Sequence, residues 1–486
     1  MKLINNTSNH VLYTISSLVV LSSVLFFSCD DLLEEKPKAM VEETFFTSVE
    51  EVETAVNAIY TPIRSGEGMS VYEATLECSA DYAYGRGSWA QISEYSVFND
   101  TNINRVARIW QQFYLSIRNA NLVIKNSPQD KKYQKLIVEA KYLRAFCYFQ
   151  LARNWGGVPI RTEKNMTDID LKKSSINEVY DFILKDLEEA ETKLPEKQSV
   201  AGRPTIWAAK TLLADVYLEL KKYPEARDKA NEVIASNHFS LVPVKTVENF
   251  QENVFGPALI STTEEIFYLK YARLSGQQNY MLWIINHAST GVYNYGGAYA
   301  VYSDLTNPVY ANWDENDLRK KMWENTEFGL GKTTLVSTKF GDNEAIDKNG
   351  GGNDDPIYGY SDILLIFAEA SVKAANAPTK EAMEALNQIR RRAYGYNPKE
   401  TSTLDYKHGN YTIESFISLV MKERSYEFQM EGKRWLELKR TGKAKEIIKK
   451  TKGLDVSDHY FLWPIPISEM NYNKALDPNI DQNPGY

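Results

Sequence analysis

The stretch Met421-Lys-Glu-Arg-Ser-Tyr-Glu-Phe-Gln-Met-Glu-Gly-Lys-Arg-Trp-Leu-Glu-Leu-Lys-Arg440 organises the reading of this chain. A helix beginning near Thr412 would place Phe416, Leu419, Val420, Glu423 and Glu427 on one stripe, the i, i+3, i+4, i+7 spacing of a core-facing surface. Two of those five residues are carboxylates, and a buried carboxylate is costly unless it is paired and hydrogen-bonded. Arg424, Arg434 and Arg440 are close enough in sequence to act as partners, and Gly432 offers a break where the chain can turn. On periodicity alone, a solvated charged helix is the competing reading.

Working outward, the same helical period recurs. Arg203-Pro204-Thr205 opens a helix carrying Ala208, Ala209, Leu212, Leu213, Ala214 and Tyr217. Tyr223-Pro224-Glu225-Ala226 starts its partner, with Ala230 and Val233 facing back. Small residues on adjoining faces let antiparallel helices approach closely, the logic of tetratricopeptide pairs. Residues 364–375 and 380–392 have the same character, with Ala368 and Ala385 spaced like Ala209 and Ala226. Val49, Val52, Val56, Ile59 and Tyr60 predict a helix capped by Thr47 or Ser48, and another runs from Val106 to Leu122. Residues 136–155 stop at Gly156-Gly157 and Pro159, and residues 175–194 stop at Pro195. The expected fold is mostly α: a scaffold of four or so tetratricopeptide-like helix pairs in a single domain. Unequal gaps between the pairs predict that they do not form a continuous solenoid.

Two stretches break the pattern, about 65–104 and 241–360, and both are rich in Tyr, Gly and polar residues. The first reads as a long irregular excursion. The second is too long for a simple connection and reads as an inserted functional subregion. Short alternating pieces such as Glu265-Ile-Phe-Tyr-Leu-Lys270 predict strands, and Gly350-Gly351-Gly352-Asn353-Asp354-Asp355 predicts a flexible loop. Trp110, Trp155, Trp207 and Trp435 fall on or beside predicted helices, and Trp463 lies in the Pro-rich closure, so all five are expected in the core. Trp89, Trp283, Trp313 and Trp323 are left in irregular segments.

The N-terminus reads as a targeting segment. Lys2 precedes an apolar run over residues 11–27, and Cys29 follows, then Asp30-Asp31-Leu32-Leu33-Glu34-Glu35. An uncleaved anchor is one reading. The pattern better resembles a bacterial lipoprotein signal, residues 1–28, cleaved before an acylated Cys29, although Phe26 and Phe27 depart from the usual residues. Several acyl chains anchor a protein stably where one does not. The remaining cysteines, Cys78 and Cys147, read as packed thiols, although an oxidising compartment permits a bridge between them. The 486-residue chain carries a net charge of −8, which argues against nucleic acid as a partner. No histidine spacing for zinc, no Gly-x-Ser-x-Gly elbow and no calcium loop is present. Gly331-Lys332-Thr333 lacks the upstream glycine of a phosphate loop, Thr326 standing in its place. The reading therefore assigns no catalytic residues, no metal and no cofactor.

The pattern Glu423-Arg424, Glu427-Phe428, Glu431-Gly432, Arg434-Trp435 and Leu438-Lys439-Arg440 resembles the C-terminal signature of the SusD/RagB family of outer-membrane nutrient-binding lipoproteins. Trp155-Gly-Gly-Val-Pro159, the helix start Ser361-Asp362, Leu462-Trp463-Pro464 and Asn483-Pro484-Gly485-Tyr486 strengthen it, so the resemblance runs from Cys29 to Tyr486 as one domain. It implies that the signature is scaffold, and that loops on one side of the helices carry a shallow glycan platform. Aromatic rings stack on the C–H faces of sugars while polar neighbours bind hydroxyls. The candidates are Trp89, Tyr84, Trp283, Tyr293, Tyr295 and Trp313, with Asp81, Arg86 and Asn294 as polar partners. The implied protein is a lipid-anchored, exterior-facing outer-membrane lipoprotein that passes an oligosaccharide to a SusC-like TonB-dependent transporter and breaks no bonds. Two alternatives remain: RagB-like capture of peptide fragments, with the aromatics as apolar pockets, and a lipoprotein glycosidase acting through paired carboxylates.

Overall fold

The computed structural model describes residues 46–274, 284–285, 288–293, 297, 301–327, 329–346 and 350–486. Helix α1 (Val49–Arg64) starts at Ser48, whose hydroxyl accepts from Glu51 N while the Glu51 carboxylate reaches back to Ser48 N. Its stripe of Val52, Val56 and Ile59 is fully buried. There follow α2 (Val71–Cys78), α3 (Asp100–Asn126), α4 (Gln134–Trp155), α5 (Ile176–Lys193), α6 (Ile206–Glu219), α7 (Tyr223–Ala235) and α8 (Val247–Asn253). Helices α9 (Tyr360–Ala375) and α10 (Lys380–Ala393) form the last pair.

The predicted pairs form, but they also stack end to end. Helix α1 packs on α3, α3 on α4, α4 on α5, α5 on α6, α6 on α7, α7 on α9 and α9 on α10. The unequal spacing in sequence is therefore no bar to a continuous array, because residues 236–359 leave the stack after α7 and return at α9. Ala226 and Ala230 on α7 and Ala368 and Ala370 on α9 are all fully buried, and short side chains permit the close approach.

Among the described residues six short strands lie outside the stack. Strands β1 (Tyr84–Gly85), β3 (Val301–Asp304), β5 (Thr334–Ser337) and β4 (Trp323–Asn325) form one antiparallel sheet in that order. The predicted strand β2 (Glu265–Leu269) pairs with β6 (Asp355–Gly359). Tyr84 stands opposite Tyr302, so the sheet joins the two loop-rich stretches to each other. The first stretch is more regular than expected, since it holds α2 and a 3-10 turn over Gly87–Glu94. Every residue of α2 is buried, which leaves no amphipathic period to read in the sequence. The glycine-rich stretch is also held: Gly352 N donates to the Asp342 carboxylate, and Asp355 already belongs to β6.

Near the C-terminus lie α11 (Ile413–Glu427), capped by Thr412, then α12 (Arg434–Arg440) and α13 (Ala444–Lys452). As predicted, Phe416, Val420, Glu423 and Glu427 face inward, and Leu419 is half-buried. The partners differ from those expected. Arg319 donates to Glu423 at 2.9 Å and to Glu427 at 3.0 Å, and Arg392 binds Glu427 and Glu264. Arg424 instead pairs with Glu437, Arg434 with Asp81 and Glu437, and Arg440 with Glu369. The reason is geometric: α11 ends at Glu427, the turn that follows carries Arg434 and Arg440 to other elements, and Arg424, still on α11, meets Glu437 of α12 instead of the acids on its own helix. Gly432 in that turn has φ +65°, and a Cβ there would sit 2.9 Å from Glu73 Cγ, so glycine is required.

Trp110, Trp155, Trp435 and Trp463 are buried as expected, whereas Trp207 is half-exposed against His238. Cys78 and Cys147 are buried free thiols, with no bridge between them. Among the described residues no helix is long and apolar enough to cross a membrane. Cys29, Trp283, Asn294 and Tyr295 lie outside the described residues.

Candidate ligand-binding face

The two excursions meet at one pair of rings. Strand β3 alternates, with Val301 and Ser303 buried and Tyr302 and Asp304 half-exposed. Tyr302 thus lies beside Tyr84, ring centroids 5.6 Å apart and planes 30° from parallel. The Asn307 amide fixes the pair by donating to Tyr84 Oη and to Asp81 O, each at 3.0 Å. Asp304 accepts from Thr306 and Thr333; burial would raise its carboxyl, but these bonds hold it below the usual range. Burial pushes both phenols up, so Tyr84 and Tyr302 stay protonated and can donate as well as accept. Lys452 at the end of α13 places its ammonium 4.7 Å from the Tyr84 centroid. The face combines half-exposed rings with phenol and carboxylate groups, and Arg86 is half-buried two residues from Tyr84.

The signature turn holds this face from behind. Arg434 grips Asp81 through Nε and Nη2, at 2.9 and 2.7 Å. The Tyr82 hydroxyl donates to Glu77 and accepts from Met430 N at 2.8 Å, while Gly432 N donates to Glu77 at 2.7 Å. Burial pushes Glu77 up to about 7 despite those bonds. Asp81 is 1 % exposed, so it acts as an anchor for the loop rather than as a surface carboxylate.

The remaining candidates divide. Trp89 is 6 % exposed and has the Arg105 guanidinium 3.7 Å from its ring centroid, so that ring is engaged within the protein. Trp313 is 3 % exposed and stacks on Tyr426 of α11 at 4.1 Å, so its ring is engaged within the protein too. Both rings sit in the frame because a tryptophan's large apolar area favours burial even when its backbone is irregular. Trp323 is likewise buried, its indole N–H donating to Gln429. Tyr293 is half-buried, with its hydroxyl against Gly341, and burial pushes it up to about 12.

Tyr302, Asp304 and Lys452 were not singled out from the sequence. The alternation Val301-Tyr302-Ser303-Asp304 is the signal that finds the first two. Nothing local marks Lys452, because its contacts are made across 369 residues of chain. Among the described residues no cluster of His, Cys, Asp or Glu is arranged to hold a metal.

Residues 31–218 match the SusD-like family described as "Starch-binding associating with outer membrane", and residues 280–486 match the SusD family. SusD-like protein P2 of Formosa agariphila is 25% identical over 519 residues, covering 98% of this chain and 99% of its own. SusD-like protein P38 of the same organism is 27% identical, covering 96% and 98%. Among solved structures, a SusD homolog from Bacteroides thetaiotaomicron superposes with a TM-score of 0.78 at 22% identity, over 92% of this chain and 98% of its own. Surface glycan-binding protein A from the same species gives 0.73 at 21% identity, over 91% and 100%. Two family matches that span most of the chain, relatives aligned over nearly its full length and a shared fold converge: the chain belongs to the SusD/RagB family.

Proposed function

We propose that this protein binds a glycan at the Tyr84–Tyr302 face and delivers it to a SusC-like TonB-dependent transporter, held at the outer membrane by lipid on Cys29. The observation that carries the reading is that two excursions, distant in sequence, meet at a half-exposed tyrosine pair ringed by polar groups. Phenol rings present C–H surface to a pyranose, and Asp304 and Arg86 bind its hydroxyls. The name of surface glycan-binding protein A, and the starch-binding description of the family matched by residues 31–218, support the same class of ligand. The role needs no bond cleavage.

Native affinity gels cast with amylopectin, laminarin, xylan or pectin test it on the full-length protein in detergent. Retardation by at least one gel, with no shortening of the polysaccharide by size-exclusion chromatography after long incubation, is expected. Retardation by none, with binding of a peptide mixture instead, would favour peptide capture; shortened chains would make the protein a glycosidase.

A further inference from the structure

We propose that Lys452 is the positioning residue of the Tyr84–Tyr302 face: its ammonium, reaching in from α13, holds the Ala83 carbonyl and the Tyr84 ring where a saccharide meets them. The inference rests on the glycan-binding reading above.

Helix α13 is rich in lysine, and Lys452 is unlike the others. Lys443 and Lys449 are exposed and pair with Glu446 and Asp455, and Lys445 beside them pairs with Asp458. Lys452 turns inward at the end of the helix, just before Gly453 takes φ +72°. Its Nζ donates to Ala83 O and to Tyr95 Oη, the latter at 2.7 Å, and among the described residues it bonds no carboxylate. It lies 4.7 Å from the Tyr84 centroid and 5.1 Å from that of Tyr95. One ammonium therefore clamps the residue before Tyr84, the Tyr84 ring itself and the loop residue Tyr95. A cation against a partly desolvated ring contributes more than at an open surface.

The groups that face Lys452 are the Asp81 carboxylate and Cys78 thiol from the α2 side, with Tyr84 and Tyr95. Asp81 is already committed to Arg434. Burial pulls the Lys452 ammonium down to about 7, with Asp81 and Cys78 pulling weakly upward. The clamp is thus fully charged in mild acid and loses its cation–ring attraction as the pH rises past neutrality. Glycan affinity should follow.

The test uses the full-length protein in detergent, and as probe whichever of the four gel polysaccharides retards the wild type. Lys452→Met should bind about tenfold more weakly, with a flat pH profile; the protein stays folded, with its melting temperature lowered because the buried Ala83 carbonyl loses a donor. Lys452→Arg, which keeps its charge at every pH used, should bind at least half as well as wild type and lose the decline from pH 6 to 8.5. Hydrogen exchange of a peptide spanning residues 83–86 should quicken in Lys452→Met, a readout that needs no ligand. Wild-type affinity and pH profile in Lys452→Met, or unchanged exchange at residues 83–86, would overturn the proposal. Retardation of the wild type by no gel would overturn the glycan reading instead, leaving hydrogen exchange to judge the clamp.

Discussion

Arg319 and Glu427 form an ion pair at 3.0 Å inside the protein, with 2 % and 5 % of their surfaces exposed. Arg392 binds the other Glu427 oxygen, and Lys339 Nζ donates to the Glu427 carbonyl at 3.0 Å. Breaking one side of such a network leaves an uncompensated buried charge, which costs far more than the net value of the pair. Arg319→Met should therefore destabilise by about 3–5 kcal/mol in urea unfolding, because Asp317, Glu423 and Glu427 all lose a partner. An effect below about 1 kcal/mol would show that the network is not a framework element.

The same network sets an acid limit. Burial alone would raise Glu427, but Arg392, Arg319 and Lys339 hold it at about 2. Its folded value lies below its unfolded one, so its contribution is present above about pH 4.5 and is lost as the pH falls through about 2. Glu427→Gln should lower stability at pH 6 and flatten the loss between pH 4.5 and 2, followed by thermal melts across that range.

Glu73 and Asp355 move the other way. Burial and the facing Asp355 push Glu73 up, and burial pushes Asp355 up to about 7. Among the described residues neither Asp355 oxygen, nor Glu73 Oε2, accepts a bond from a donor group, and the expectation is that one proton held by the pair relieves their repulsion. Raised values give a contribution present in acid and lost as the pH rises through about 7. Glu73→Gln supplies a neutral donor there, and should stabilise by about 1–2 kcal/mol at pH 8 with little change at pH 5. Equal effects at both pH values would contradict the shared proton.

Asn483 locks the tail. Its amide donates to Trp155 O at 2.9 Å and to Trp463 O at 2.6 Å, and the two indoles meet at 4.8 Å. Asn483→Ala leaves two buried carbonyls short of a donor and should cost about 2–4 kcal/mol in denaturant unfolding.

These residues show what could be read from the sequence. The inward stripe of α11 was legible because a 3.6-residue period reveals which positions share a face, even when two of them are acidic. Its partners were not: Arg319 and Arg392 lie 108 and 35 residues from Glu427, and no local pattern encodes contacts at that range. Helix α2 was hidden because it is buried on all sides. Tyr84, in an irregular-looking stretch of sequence, stands half-exposed on β1, whereas Trp89 and Trp313 from similar stretches are buried, because a large apolar ring favours burial whatever its backbone. The pairing of Tyr84 with Tyr302 depends on a sheet register between distant strands, which only the fold supplies.

The most direct measurement is the affinity of Tyr302→Ala for the retarding polysaccharide, set beside its melting temperature. Tyr302 is half-exposed and no hydrogen bond of the network behind the face depends on its side chain, so the variant should keep its stability and bind about tenfold or more weakly. Wild-type affinity in a folded Tyr302→Ala protein would contradict the account.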